Sequence, residues 1–345
     1  MHRLLTLSLL SVSLGVALAV GCGDPGSAGR DAGHGRPDAS SSGLDADDLI
    51  INPLPDTGFR PDAEIVGPTL IFAHTGTTLF KGSPNTAPMT LDPVGDFDCG
   101  SQTDIAIDKD GKLFGVSSSA VHPIEINGST VHCSATWTIK NSGSGSFYGL
   151  TFAPAGVLGT NEMLVAANSA GELWAVDDQG NATQVGTFGT VPADDGHGHT
   201  YKAANVGKAW ELSGDIVFLT NSGSPVGFAT VVDCPNPPSK TGCNTVDTLV
   251  EIDVPKLSLG NKTSVTKSVR GQVVKSSTCA DTSTGYGSMY GIAAWDTKVY
   301  GFSYAGHLVE ISNKDGSACL VETYADKKFA GAGVTTLAPV IVEPN

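Results

Sequence analysis

The sequence predicts an all-β domain built from repeated four-stranded units, and three observations predict it. Glycine is very frequent, at 43 residues, and charged residues make up only 16% of the chain. Together with abundant Thr, Val and Ser, that mix suits many short strands joined by tight turns. A hexapeptide also recurs: Gly145-Ser146-Phe147-Tyr148-Gly149-Leu150 returns as Gly287-Ser288-Met289-Tyr290-Gly291-Ile292. Finally, each copy opens the same succession of apolar stretches and polar turns, and self-similarity of this kind decides an architecture.

The succession defines the unit. After the hexapeptide come residues 163–167 or 298–302. Next are Ala170-Gly171-Glu172-Leu173-Trp174-Ala175-Val176 or Ala305-Gly306-His307-Leu308-Val309-Glu310-Ile311. A polar turn follows, at 177–180 or 313–316, and a fourth short stretch at 184–188 or 319–324. Four short antiparallel strands with Gly-bearing turns make one blade of a β-propeller. Residues 104–107, 112–117, 123–126 and 131–139 form another unit, and 209–212, 215–220, 248–254 and 264–269 a longer one. Residues 69–74, 78–81 and 89–91 supply three strands with no leading strand, while 333–338 resemble a leading strand with nothing after it. The expectation is that the C-terminal strand completes the first blade, which removes open sheet edges. This gives a single propeller of five blades, each of four antiparallel strands, over residues 65–345. A six-bladed count is the alternative, because residues 222–246 read either as an insertion or as part of a further blade. The run Cys234-Pro-Asn-Pro-Pro-Ser-Lys-Thr-Gly-Cys243 is too rich in proline for a central strand, which favours an insertion closed by its own disulfide.

Residues 147–188 and 290–324 resemble NHL-type propeller repeats, with a G-[LI]-x-[FA] opening and a later G-x-L-[WV]-x-[VI]-[DS] step. The resemblance spans most of residues 69–340. It implies a propeller with a central channel, and by itself no activity.

Ahead of the domain, Met1-His2-Arg3 is a short positive start, and residues 4–17 are apolar apart from small residues. These are the n-region and h-region of a secretory signal, too short to span a bilayer. Ala17-Leu18-Ala19 is an A-x-A site that would release a soluble periplasmic or secreted chain at Val20. Ala19-Val20-Gly21-Cys22 resembles the lipobox of bacterial lipoproteins. That resemblance implies a lipoprotein signal peptide over 1–21, acylation of Cys22, contact with a membrane through that lipid only and, from Gly23, the outer membrane. Residues 22–64 are mostly Gly, Ala, Ser, Pro and Asp, too poor in apolar groups to offset the entropy of ordering, and read as a disordered tether. A tether directly behind an anchoring cysteine favours the lipid.

The net charge of −15 sets an acidic protein against nucleic acid and anionic headgroups, which excludes both as partners. Seven cysteines in an exported chain point to an oxidising compartment. With Cys22 set aside, six remain, an even number suited to pairing. Cys99 and Cys133 occupy places in one unit that Cys279 and Cys319 occupy in another, so symmetry argues for Cys99–Cys133 and Cys279–Cys319. Six cysteines otherwise allow about fifteen connectivities.

The sharpest polar cluster is Asp194-Asp195-Gly196-His197-Gly198-His199. Its two carboxylates and two imidazoles are candidate ligands for a divalent metal, zinc included. A solvated loop is the competing reading, since the glycines preset no geometry. Asp108-Lys109-Asp110-Gly111 and Asn313-Lys314-Asp315-Gly316 read as turns, because neither continues into a calcium loop. The chain holds no G-x-S-x-G, P-loop or dinucleotide fingerprint. Tyr148 and Tyr290 stand at the head of leading strands, where they are placed either to flank a ligand at the channel mouth or to pack between blades. Two functions from different classes follow. One is a non-catalytic binding or interaction module for an unidentified protein or carbohydrate; the other is a propeller hydrolase or lyase acting on a sugar or lactone at the mouth. Converging carboxylates and imidazoles there would favour the enzyme, and hydroxyl and apolar groups the binder.

Overall fold

The structure is a computed structural model that describes residues 70–143, 145–221, 224–239 and 241–344. The signal and tether boundaries and the acylation site Cys22 lie outside the described residues.

Apart from one 3-10 turn at Val254–Lys256, the regular elements described are strands. No described helix is long and apolar enough to cross a membrane. The first three strands are β1 (Ile71–Thr75), β2 (Thr78–Gly82) and β3 (Asp92–Phe97). Next come β4 (Asp104–Ile107), β5 (Leu113–Val116), β6 (Ala120–Asn127), β7 (Thr130–Cys133) and the short β8 (Trp137–Thr138). Then follow β9 (Phe147–Ala153), β10 (Met163–Asn168), β11 (Glu172–Val176) and β12 (Ala182–Thr187). The strands β13 (Glu211–Asn221), β14 (Ser224–Val232), β15 (Thr248–Ile252) and β16 (Thr266–Gln272) come after them. Last are β17 (Met289–Trp295), β18 (Lys298–Ser303), β19 (His307–Ser312), β20 (Ala318–Thr323) and β21 (Phe329–Gly333).

Three groups, β9–β12, β13–β16 and β17–β20, are separate four-stranded antiparallel sheets. The remaining strands form one larger sheet of two antiparallel runs, β21-β1-β2-β3 and β4-β5-β6-β7, joined where β3 pairs parallel with β7. Local chemistry makes the tight turns. Asp108, Asn168 and Asp177 each turn a side-chain Oδ1 back to accept backbone N–H groups two and four residues on. Such Asx turns hold the chain in a reversal that a strand cannot satisfy by itself. Apolar cores then form on the sheets, one uniting Val165, Leu173, Leu212, Phe218, Val231 and Val250 from neighbouring sheets. The leading strands of the runs touch in order: β4 packs on β9, β9 on β13, β13 on β17, β17 on β21, and β21 on β4.

Four sequence expectations are corrected. Residues 89–91 are not a strand; Met89 and Leu91 plug the core, and the strand is the polar Asp92–Phe97, whose largely exposed faces need no apolar alternation. Residues 209–212 and 215–220 are not two strands, because β13 runs through the turn-like Ser213-Gly214-Asp215 as a bulge. Residues 222–246 are not wholly an insertion. β14 pairs with both β13 and β15, and only the connection after it, residues 233–247, is extra. The strand beside β1 is Phe329–Gly333 rather than 333–338.

Cys99 pairs with Cys133, Cys234 with Cys243, and Cys279 with Cys319. Three disulfides belong to an oxidising, exported compartment.

Candidate functional site

The leading strands carry bulges near their amino ends. Opposite Ala167 and Asn168 the register slips at Tyr148, and opposite Phe302 and Ser303 it slips at Tyr290. A bulge leaves one residue unpaired and re-aims its side chain. Both tyrosines, which the repeat singled out, therefore line one pocket of about 590 Å³. Tyr148 is 38% exposed there. The wall opposite is the 233–247 connection, drawn in by Cys234–Cys243 with a Cα–Cα distance of 4.1 Å. The connection comes so close that a Cβ on Gly287 would sit 2.1 Å from the Thr245 carbonyl oxygen, so only glycine fits. Ser288 holds φ at +53°, a left-handed conformation rare for a residue with a side chain. Its carbonyl accepts the N–H groups of Tyr290 and Tyr304, each at 3.0 Å, and so fixes the bulge.

Hydroxyls dominate the polar lining: Ser169, Ser213, Thr245 and Ser288, with the amide of Asn244 and the carboxylate of Asp247. Val232 and Pro238 add apolar surface. Asp247 is buried and accepts the Met289 N–H at 2.8 Å. Burial, and next the negative Asp247, hold the Tyr290 hydroxyl above its usual range, so it stays protonated at neutral pH. The Tyr290 ring packs on Tyr304 at 5.5 Å, and Lys328 Nζ lies 5.2 Å over the Tyr304 ring. Among the described residues lining this pocket there is one carboxylate and no lysine, arginine or histidine. The set can donate, accept and stack.

The Asp194–His199 group does something else. Asp195 is buried, and its Oδ1 accepts the N–H groups of His197 at 2.8 Å and His199 at 3.0 Å. Its Oδ2 accepts the Gln272 N–H at 3.1 Å and the His199 Nδ1–H at 2.8 Å. Burial alone would raise this carboxyl; the hydrogen bonds from Gln272, His197 and His199 together hold it below its ordinary value. Asp194 accepts the Gly196 N–H, and His197 is exposed. Asp195 thus ties the loop to the end of β16, and the four side chains do not converge. Among the described residues, the triads with ligand atoms close enough to share a metal are Cys99, His122, Cys133 and Glu211, Cys234, Cys243. Their cysteines are consumed by disulfides.

Sequence reasoning missed a buried cluster on the leading strands and β1. Asp104 on β4, Asp215 on β13 and His74 on β1 are each fully buried. Asp104 Oδ2 accepts the Leu150 N–H at 2.5 Å, which links β4 to β9. Asp215 accepts the N–H groups of Ile216 at 2.5 Å and Ile292 at 2.7 Å, the second linking β13 to β17. Burial drives both carboxyls well above the ordinary range, and the mutual repulsion of the two adds to it at Asp104. Burial lowers the His74 imidazole to about 4 against the pull of its hydrogen bond to the Thr75 carbonyl, made at 2.6 Å from Nδ1. A signal was present in the sequence. Asp104 and Asp215 stand directly before the apolar run of their strands, where the hexapeptide copies carry Gly149 and Gly291.

The carboxyl ends of the leading strands are closed differently. The Thr335 hydroxyl donates to the Asp108 carbonyl at 2.9 Å, and the Thr336 hydroxyl to Glu162 at 2.5 Å. The Thr336 carbonyl accepts the Thr220 N–H, and Asp296 exchanges backbone bonds with Pro339 and Ile341. Asn313 then holds both Ile341 and Glu343. Residues 335–343 form a strap across the ends of β4, β9, β13 and β17.

No protein-family model matches this chain, and no curated protein matches it. Solved structures that it resembles include one described as "The de novo evolutionary emergence of a symmetrical protein is shaped by folding constraints". That likeness has 13% identity over 80% of this chain and 99% of the other, with a TM-score of 0.37. A second, "Structure of U3-55K", has 11% identity over 79% and 84%, with a TM-score of 0.34. At these values neither contributes to the functional reading.

Proposed function

We propose that this chain is a cell-envelope lipoprotein, anchored to the outer membrane through Cys22, that presents a five-bladed β-propeller as a non-catalytic binding module. The cyclic contacts of β4, β9, β13, β17 and β21 support the ring, with β21-β1-β2-β3 as the blade built from both ends of the domain. The lipobox-like Ala19-Val20-Gly21-Cys22 and the pairing of the other six cysteines support the anchor.

One observation carries the binding role: the pocket at the mouth is lined by two re-aimed tyrosines, hydroxyls and a single carboxylate. Its volume lies within the ~300–1,000 Å³ of small-ligand sites. Hydrolysis or elimination needs an acid and a base in hydrogen-bond reach of the reacting group; beside Asp247 the described lining offers the Tyr148 and Tyr290 phenols, Tyr290 held protonated, and no histidine, lysine or second carboxylate.

Thermal-shift screening of wild type and Tyr148→Ala against saccharides, amines, short peptides and nucleosides tests the reading. The expected result is a compound that raises the wild-type Tm, has no effect on the variant, and is recovered chemically unchanged. Recovery of a cleaved or eliminated compound replaces the binder with the hydrolase or lyase. Mass spectrometry of the mature amino end is expected to show a diacylglyceryl Cys22; a free Val20 would keep export and remove the anchor.

A further inference from the structure

We propose that the pocket between Tyr148, Tyr290 and the 233–247 connection takes a neutral saccharide, an inference that rests on reading that pocket as a binding site. A sugar ring presents two kinds of surface: a face of C–H groups that lies on an aromatic ring, and a rim of hydroxyls that both donate and accept. Aromatic side chains offer a rigid apolar face at low entropy. Serine and threonine hydroxyls likewise donate and accept, an amide does both at fixed positions, and an ionised carboxylate only accepts. The lining has all three kinds around two tyrosines: hydroxyls at Ser169, Ser213, Thr245 and Ser288, the Asn244 amide, whose Oδ1 already accepts the Thr245 N–H, and Asp247.

The charges narrow the class further. An acidic sugar or a phosphate would meet the Asp247 carboxylate with no lysine, arginine or histidine among the described lining residues to offset it. An organic cation would find one carboxylate, but Asp247 already accepts the Met289 N–H. A neutral polyol uses the hydroxyls, which a cation leaves idle.

The site is also held ready. Ser288 and the bulge fix Tyr290, and Cys234–Cys243 fixes the facing wall. Weakly binding, hydroxyl-rich ligands gain most from such preorganisation, because little side-chain entropy is lost on binding.

Isothermal titration with neutral trisaccharides of glucose, mannose and N-acetylglucosamine, with a trigalacturonate, and with choline and spermidine, tests the class. At least one neutral trisaccharide is expected to bind, and Tyr148→Ala and Tyr290→Ala each to weaken it by about tenfold or more. The trigalacturonate is expected to bind less well than the neutral sugars, and Asp247→Asn to narrow that gap. Ser169→Trp, which fills the pocket from its wall, is expected to abolish binding with the fold intact by circular dichroism, which covers the case of an unstable tyrosine variant. Choline or spermidine bound in a tyrosine-dependent way, with no neutral sugar bound, would overturn the saccharide and leave the pocket reading standing. A trisaccharide bound equally by wild type, both tyrosine variants and Ser169→Trp would place sugar binding elsewhere and overturn the pocket reading itself.

Discussion

The two ends of the leading strands are built from opposite materials. At the amino ends, bulges break the ladder and push Tyr148 and Tyr290 into a pocket with a hydroxyl lining. At the carboxyl ends, residues 335–343 cross the same strands and spend their backbone and threonine hydroxyls on Asp108, Glu162, Thr220 and Asp296. At the first end a pocket of about 590 Å³ stays open although Asn244 and Asp247 accept backbone N–H groups; at the second, hydrogen bonds from residues 335–343 tie the strand ends together. The difference teaches where to look for function. A strap bonded to the strand ends stabilises, whereas a pocket held by a disulfide and a left-handed Ser288 leaves room for a ligand.

The largest effect should come from the closed end. Deleting residues 334–345 exposes the surface under Val334, Ala338 and Val340, all buried. Two valines alone account for about 3–6 kcal/mol, so denaturant titration should show a loss of at least about 3 kcal/mol. A loss under about 1 kcal/mol, within the range of a surface change, would mean the strap is not part of the cooperative fold.

Between the two ends, Asp104 and Asp215 set a pH dependence. Both carboxyls titrate above their unfolded-state value, so the native state holds the extra proton. Stability is therefore greatest near the ordinary carboxylate range and falls as pH rises through the raised native values, with a slope of up to about 1.4 kcal/mol per pH unit for each proton. Asp104→Asn should flatten this. Its amide oxygen can keep the Leu150 N–H. Its NH₂ can take the Oδ1 position, which has no partner and shares with His74 Nε2 a distance of 2.3 Å to the place a Cβ on Gly331 would occupy. Thermal unfolding from pH 5 to 9 reads the slope, and an unchanged slope in the variant would remove Asp104 from the titration.

The smallest effect should come from the open end. Tyr148→Ala is expected to change stability by no more than about 0.5 kcal/mol, since its ring is part-exposed and its bulge is held by backbone. If denaturant titration instead shows a loss above about 2 kcal/mol, comparable to removing a core side chain, the ring is a packing element and the two ends are less different than they look.

Much of this was legible locally. The repeat of Gly145–Leu150 at Gly287–Ile292 marked the leading strands and both tyrosines, because turn residues and short apolar runs act over a few neighbours. Equivalent placement of cysteines in two repeats pointed to the pairs that form. Illegibility began where a residue's meaning depends on strands far away in sequence. Residues 209–212 and 215–220 read as two strands, yet they are one strand with a bulge, at which the Asp215 side chain accepts the Ile292 N–H of β17. Asp194-Asp195-Gly196-His197-Gly198-His199 reads either as metal ligands or as a solvated loop, and neither reading contains the bonds by which Asp195 holds Gln272 and its own loop.

By itself, then, the sequence determined an all-β chain of short strands and tight turns, its disulfide partners and the two tyrosines at the head of equivalent strands. Each of these depends on composition, spacing or repetition along the chain. Only the tertiary structure decided that β21 lies beside β1 and that β14 belongs to a sheet rather than to an insertion. It alone brought the 233–247 connection against Tyr148 and Tyr290, and Asp104 against Asp215. The physical reason is that strand register and the burial of a charge are set by partners distant in sequence, whose positions are fixed only when the leading strands pack on one another.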